Sequence, residues 1–464
     1  MVFSKTTWTF VSSSWDYAQH FPLAAEGYGY FFYCCTVVSF IALLHLAVLA
    51  RTPLWFFAIF LVPIAARSAG WLTHKSYLPL HPVEMLMLEA KNRHSEYLAS
   101  SSSSANLSAT VDRYRMRYER DPPPGFGHWY EYARSRNAVI IDDFERIHED
   151  LLPFWAISPA EPDLANLHGL YLSPAAFKVS HELYPVFSQS KAPGFNDILY
   201  PSPWNYLDKV KYAPNKQHPD PLFESKAKTL FWRGATSEGL SSSGEWKGMT
   251  RQRFNRLANN IHDTSPAQPV LLPYPFAPQG KWKYMLASTA SLTKLVGVDV
   301  LIVDGISRCG DNDCRDQARE FSPLAPLADF QSHWSYKYLL DLDGAGFSGR
   351  FLPFLFSRSV PFKAALFREW YDSRLTPWLH FVPLDLRGHG FWATLVYFAG
   401  LEGKVEDKWV ESRSHEREAE TIAKEGREWA RKVLRKEDME IYFFRLLLEW
   451  GRLTDDRRDD IGFS

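Results

Sequence analysis

Residues 336–350 read YKYLLDLDGAGFSGR, and the interpretation of this stretch decides the fold. An apolar, strand-like run closes on Asp343, and Gly344, Gly346 and Gly349 follow in the spacing G-x-G-x-x-G. RFLPFLFSR then predicts a short helix and SVPFKA a second strand, giving a strand, glycine loop, helix, strand unit. Glycines in such a loop permit positive φ and let backbone N–H groups approach a bound group closely. Arg350, at the helix start, adds a charge suited to phosphate. The stretch predicts a docking place for a phosphate-bearing molecule at residues 344–350.

Its chemistry is narrower than a dinucleotide signature. The helix is short for a Rossmann crossover, and SVPFKA runs into Ala365-Leu366 with no acidic residue to take a ribose hydroxyl. No G-x-x-x-x-G-K-[ST] occurs at this loop, which excludes a P-loop. A purely structural turn remains an alternative. A second loop, Phe231-Trp232-Arg233-Gly234-Ala235-Thr236-Ser237-Glu238-Gly239, follows the strand-like AKTLFWRG (227–234). Arg233 and Arg350 together could clamp one diphosphate with forked donors. Each alone reads more readily as a surface or ion-pair residue.

Around these loops the chain reads as mixed α/β. VGVDVLIVDG (296–305) is a β-branched strand, and Thr250 to Ile261 is helical. Asn137 to Leu152 has apolar residues at helical spacing, and Glu411 to Lys436 and Met439 to Trp450 are two C-terminal helices. Residues 185–206, PVFSQSKAPGFNDILYPSPWNY, are strand and loop. Prolines in KYAPNKQHPDP mark a division near 210–226. Strands alternating with helices on both sides predict two doubly wound halves, with ligands at the carboxyl ends of the strands between them.

Upstream, residues 28–50 form an apolar run long enough to span a bilayer, and a second run, Leu54 to Ala66, closes on Arg67 and reaches that length only if it extends to Leu72 (54–72). Ser100 to Ser104 read as a flexible stem, with Asn106-Leu107-Ser108 a glycosylation sequon beside it. Lys+Arg 52 against Asp+Glu 53 leaves a net charge of -1, so there is no basic field to hold a nucleic acid. The aromatic share, 16%, suits sugar-ring faces and cores alike. Cys309 and Cys314 flank a polar loop and read either as a small disulfide of an oxidising compartment or as two free thiols.

FWRGATSEG, SYKYLLDLDGAGFSGRF and SVPFKAALFREWYDSRLTPWLHFVPL together resemble the C-terminal half of glycosyltransferase family 90. That family includes fungal capsule-associated xylosyltransferases and animal protein O-glucosyltransferases, and PVFSQSKAPGFNDILYPSPWNY is similar to its preceding segment. The resemblance covers about 185–400 in matching order. It implies a GT-B-like α/β fold of two Rossmann-like domains facing a cleft, here preceded by a transmembrane segment. It also implies a UDP-sugar donor, a glycan or protein acceptor, an inverting mechanism, and no cofactor or required metal. Carried over by residue, it implies donor-binding roles for Arg233, Gly234, Ser237, Tyr336, Lys337, Gly344, Gly346, Ser348 and Arg350. It places His380 beside the donor half, and Asp343 where animal members often have arginine.

The family's general base is an aspartate in an Asp-x-Pro stretch, and the matching stretch here reads Leu172-Ser173-Pro174. Substitute carboxylates and imidazoles nearby are Asp163, His168, His181, Glu182 and Asp197, of which Asp197 and Glu182 are the catalytic candidates. The expected organisation is a membrane region (1–75), a stem (76–112), an acceptor-side α/β domain (113–222), a nucleotide-sugar domain (223–405) and C-terminal helices (406–464). The expected location is the ER or Golgi membrane with the catalytic part lumenal. Two other readings stand beside the transferase: a catalytically silent relative that binds a glycan or a partner, and a nicotinamide-dependent oxidoreductase using GAGFSG.

Overall fold

The computed structural model describes residues 80–101, 106–157, 183–259, 267–273, 282–303 and 305–463. In chain order it begins with four helices, α1 (Pro82–Ser101), α2 (Leu107–Tyr118), α3 (Phe126–Ser135) and α4 (Glu145–Leu151). A minimal parallel pair, β1 (Phe187–Ser188) and β2 (Ile198–Leu199), and a single-turn α5 (Pro203–Tyr206) follow. The α/β part comprises β3 (Ala227–Gly234), α6 (Thr250–Ala258), β4 (Gln268–Pro273), β5 (Trp282–Ala287), α7 (Thr289–Leu295), β6 (Gly297–Ile302), α8 (Asp311–Glu320), β7 (Tyr336–Leu342), α9 (Phe351–Phe356), β8 (Val360–Ala364) and β9 (Val382–Pro383). After α10 (Phe391–Ala399) come the hairpin β10 (Leu401–Val405) and β11 (Lys408–Ser412), then α11 (Glu416–Val433) and α12 (Lys436–Leu453).

Five strands form one parallel sheet in the order β6-β3-β7-β8-β9. From Lys337 on, β7 is buried on both faces, as its near-continuous apolar run requires of a central parallel strand. On one face Trp232, Tyr338, Leu340 and Phe362 join a core with α6 and with α10, which is apolar and buried along its whole length. A second core gathers Trp129, Phe144, Ile147, Trp370, Tyr442 and Leu446 with Phe351 of α9. The last helix thus returns to the first ones: Trp129 Nε1 donates to Ile441 O at 3.1 Å, and Tyr114 OH to Glu449 Oε2 at 3.2 Å. Along α11 the buried Ala419, Ile422, Ala423, Gly426, Trp429 and Val433 recur at helical spacing.

Three expectations are corrected. Among its described residues the acceptor side does not form the expected second doubly wound domain, since only β1 and β2 pair there, two residues each. Pro185, Pro193, Pro201 and Pro203 punctuate that segment and cannot donate to a ladder. The Asn137–Leu152 stretch is helical only from Glu145, with Ala138, Ile140, Ile141 and Phe144 buried as irregular chain. Of the expected stem, α1 runs through Ser100 and Ser101 and Asn106 caps α2 by accepting from Ala109 N at 2.9 Å, while Ser102 to Ser104 lie outside the described residues.

The third correction concerns the transmembrane segment expected ahead of this body. No helix among the described residues is long and apolar enough to cross a membrane, and the runs 28–50 and 54–72 lie outside them.

Candidate active site

β3 and β7 are adjacent and parallel, so the loops that follow Gly234 and Leu342 leave the same edge of the sheet. Two arginines join those loops. Arg350 Nη1 donates to Arg233 O at 2.6 Å. Arg251, in the first turn of α6, donates from Nε to Asp343 O at 2.7 Å and from Nη1 to Ala235 O at 2.9 Å and Ser237 Oγ at 3.3 Å. Its backbone N–H is held by Glu238 Oε2 at 2.8 Å. Both guanidiniums lie near the buried Trp232, 5.7 Å from its ring centre for Arg350 and 5.9 Å for Arg251.

Burial and the neighbouring Arg251 lower the Arg350 pKa to about 10, and burial lowers that of Arg251. Positive charge is thus concentrated at the strand edge, where an anion would relieve it.

Room, not positive φ, explains the glycines. Among the described residues the glycines with positive φ are at 125, 194, 244, 388, 390, 400 and 403, and not at 344, 346 or 349. A Cβ at Gly234 would stand 2.5 Å from the Trp232 ring and 3.2 Å from Arg350 Nη2. One at Gly344 would be 3.4 Å from Arg251 Nη2, and one at Gly346 3.2 Å from Ser190 Oγ. Ser348, at the turn before Arg350, donates to Asp341 Oδ1 at 2.5 Å, and Lys363 Nζ holds Asp341 Oδ2 at 3.3 Å.

Asp343 is buried. Its Oδ2 accepts from Leu366 N at 2.6 Å and Phe367 N at 3.0 Å, while Oδ1 has no partner. Burial pushes its carboxyl up to about 7 against the pull of Lys363.

The two-armed diphosphate clamp is not what forms. Arg233 lends its carbonyl to Arg350, but its guanidinium turns to the sheet face and pairs with Asp299 of β6, Nη2 lying 2.8 Å from Oδ2 and 2.7 Å from Oδ1. Tyr336 and Lys337 stand at the opposite end of β7, about 20 Å from the loop at ~3.3 Å per residue. There the Tyr336 ring stacks on Phe231 with centroids 4.1 Å apart, and Lys337 is paired with Glu416 of α11. His380 is buried, accepts from Thr376 N at 2.9 Å, and is held well below the usual imidazole range by burial, as a packing residue is.

The acceptor-side segment lies against the glycine loop, since a Cβ at Gly349 would be 3.9 Å from Trp204 Cε3 and 4.0 Å from Val210. Trp204 is 44% exposed, with Lys209 Nζ 3.7 Å over its ring. On the same segment half-buried Asp197 accepts from Ser188 Oγ at 2.7 Å. Its main-chain oxygen accepts from Lys191 Nζ at 2.9 Å, and Lys191 is itself anchored to buried Asp150 at 2.6 Å. Glu182, Asp163, His168, His181 and the Leu172-Ser173-Pro174 stretch lie outside the described residues.

Sequence reasoning misses Arg251 and Asp150. Each reads as one more polar residue on a helix, and only the fold shows which loop it reaches. The cysteine question is decided in favour of the disulfide: Cys309 and Cys314 are bonded.

Residues 285–458, from β5 through α12, match the family model Glycosyl transferase family 90. The chain is 30% identical over 125 residues to an O-glucosyltransferase rumi homolog of Aedes aegypti, covering 27% of this chain and 28% of that protein. With Protein O-glucosyltransferase 2 of Danio rerio it shares 28% identity over 137 residues, 29% of this chain and 24% of the relative. A longer match reaches O-glucosyltransferase rumi of Drosophila melanogaster, 25% identical over 353 residues and covering 74% of this chain and 70% of the relative. The chain therefore spans under a third of the Aedes and Danio proteins, and most of the Drosophila one only at lower identity.

Proposed function

From a glycosyl transferase family 90 region at residues 285–458, we propose that the protein is a glycosyltransferase that moves a glucose- or xylose-type sugar from a UDP-sugar to a hydroxyl of a glycan or protein, with inversion. The observation that carries this reading is the pair of glycine loops joined by Arg350 and Arg251 at one edge of the parallel sheet. In such folds ligands dock beyond the carboxyl ends of the strands. Fixed guanidiniums there suit a diphosphate whose charge grows as the sugar departs. Exposed Trp204 beside Gly349 suits the apolar face of a sugar ring.

In the proposed reaction a carboxylate takes the acceptor hydroxyl proton as that oxygen attacks the anomeric carbon. The bond from carbon to the β-phosphate oxygen breaks on the opposite face, and UDP leaves with the electron pair. Asp197 is the carboxylate we assign to proton removal, because it is half-buried, anchored by Lys191, and on the segment that faces the loop. Arg350, with loop N–H groups and Arg251 behind it, stabilises the leaving diphosphate, a task that requires no metal or resident cofactor. The Cys309–Cys314 disulfide supports a lumenal location in the secretory pathway.

A silent, ligand-binding relative is favoured by one specific observation: no carboxylate occupies Leu172-Ser173-Pro174. The two readings separate on a single protein sample given UDP, UDP-glucose and UDP-xylose, with Arg350→Ala alongside. Binding and slow donor hydrolysis, both lost in the variant, are expected of the transferase. Binding without hydrolysis or transfer, or no binding of UDP and its sugars at all, removes the transferase and leaves the silent relative.

A further inference from the structure

A third arginine reaches the same strand edge by a different route. Arg308 lies in the turn between β6 and α8, immediately before the disulfide Cys309–Cys314. Its φ is +57°, in the left-handed region that a β-carbon makes costly. Something must hold that conformation, and several interactions do. Ser241 N donates to Arg308 O at 2.8 Å and Gly310 N to Ser241 O at 2.9 Å, so the turn clasps Ser241 from both sides. Asp313 accepts from Ser241 Oγ at 2.5 Å and from Gly244 N at 2.9 Å. Ser307 N donates to Thr236 Oγ1 at 2.9 Å. The disulfide turn is thereby sewn to the loop that follows Arg233 and Gly234.

The side chain this arrangement presents is exposed and nearly unused. Arg308 Nη1 makes one long hydrogen bond, 3.4 Å, to the main-chain oxygen of Ser237. Among the described residues it enters no ion pair, unlike Arg233 with Asp299. Ser237 is also the residue whose Oγ accepts from Arg251. The Arg308 charge lies close enough to be felt by Arg251, whose protonated form it disfavours. A strained turn, a covalent tether and an unpaired guanidinium aimed at the donor loop make a costly arrangement for a residue that only packs.

We propose that Arg308 is a further donor-binding residue, a third guanidinium for the diphosphate of the nucleotide-sugar, and that the Cys309–Cys314 disulfide is the tether that keeps it at the strand edge. The inference rests on the UDP-sugar reading above. Arg308 closes over the bound phosphates from the solvent side, while Arg350 and Arg251 stay fixed beneath the loops. The disulfide contributes by positioning and touches no substrate.

The test is titration calorimetry of the full chain with UDP and with uridine, on the wild type, Arg308→Ala, Arg308→Lys, the double variant Cys309→Ser with Cys314→Ser, and all three substitutions Cys309→Ser, Cys314→Ser and Arg308→Ala together. Arg308→Ala is expected to weaken UDP binding roughly tenfold, as loss of one charge-assisted contact does, with uridine binding unchanged and Arg308→Lys in between. The double cysteine variant is expected to weaken UDP binding similarly, with no further loss on adding Arg308→Ala, since both changes remove one contact. Wild-type UDP affinity in Arg308→Ala overturns the assignment, and equal losses for uridine and UDP overturn it as well. Additive losses overturn the tether. A wild type that binds no UDP overturns the underlying donor reading, an outcome distinct from all of these.

Discussion

The guanidinium of Arg350 donates to the main-chain oxygen of Arg233 across 2.6 Å, so two loops more than a hundred residues apart share one hydrogen bond at the edge of the sheet. Removing it has a double effect. Arg350→Ala takes away a charge-assisted donor and leaves a carbonyl without its partner, at about 1–3 kcal/mol. We expect UDP affinity to fall roughly ten- to a hundredfold, at about 1.4 kcal/mol per tenfold, with a small drop in melting temperature. Unchanged UDP binding would show that the phosphates dock elsewhere.

Arg251 has the larger structural role. Its guanidinium holds the carbonyls of Ala235 and Asp343, one on each loop, the second in the interior. Arg251→Ala is predicted to destabilise the fold by roughly 2–3 kcal/mol, since one buried and one part-buried acceptor lose their donor. Arg251→Lys recovers at most part of this, because an ammonium is a point donor where a fork is needed. Thermal melts of both variants check the ranking; a lysine variant as stable as the wild type would contradict it.

The glycines should differ sharply in tolerance. Gly234→Ala drives a methyl to within 2.5 Å of the Trp232 ring, whereas the nearest atom to a Cβ at Gly349 is 3.9 Å away. Overpacking of this kind costs about 1–3 kcal/mol. We expect Gly234→Ala to lower both the melting temperature and UDP affinity, and Gly349→Ala to leave stability near the wild type. Equal behaviour of the two would remove close approach as the reason for glycine at 234.

Asp343 predicts a pH dependence of stability. Burial raises its carboxyl from 3.8 to about 7, so between those values the folded protein keeps a proton that the unfolded chain has lost. The associated stability is complete below about pH 4 and is lost as pH rises through about 7. Lys363 and the Leu366 and Phe367 amides oppose the shift, and Asp341 adds to it. Asp343→Asn keeps an acceptor for the two amides and removes the titration. The melting-temperature difference, wild type minus variant, should therefore fall from pH 5 to pH 8; a flat difference would mean the carboxyl titrates normally.

Asp197 separates binding from chemistry. Its carboxylate accepts from Ser188 Oγ, and the loop around it is anchored through Lys191 to Asp150. With the proposed role, Asp197→Asn lowers kcat by about 10²–10⁴-fold, the range of general acid–base catalysis, while UDP affinity stays at the wild-type value. Turnover undiminished in that variant would pass the role to a carboxylate in the 158–182 segment.

Local pattern made part of this legible without a structure. The strands at 227–234 and 336–342, the loops that end them, the helix from Thr250 and the amphipathic C-terminal helix follow from hydrophobic periodicity and glycine placement, and the order of motifs pointed to the family whose model matches residues 285–458. Those signals act over a few residues and so survive in the linear chain.

Tertiary structure decided what each polar side chain does, because ion pairing depends on which strand lies alongside. Arg233 looked like a phosphate ligand until β6 placed Asp299 beside it. Lys337 sat next to the loop in sequence but at the far end of β7 in space, claimed by Glu416. Arg251 carried no signal in the sequence, and only the crossover of α6 onto the sheet brings it to both loops. The sequence by itself determined that two glycine loops follow two parallel strands. Which arginines are left to meet an anion was settled by long-range pairing, since a guanidinium in a low-dielectric interior binds the nearest carboxylate or carbonyl the fold supplies.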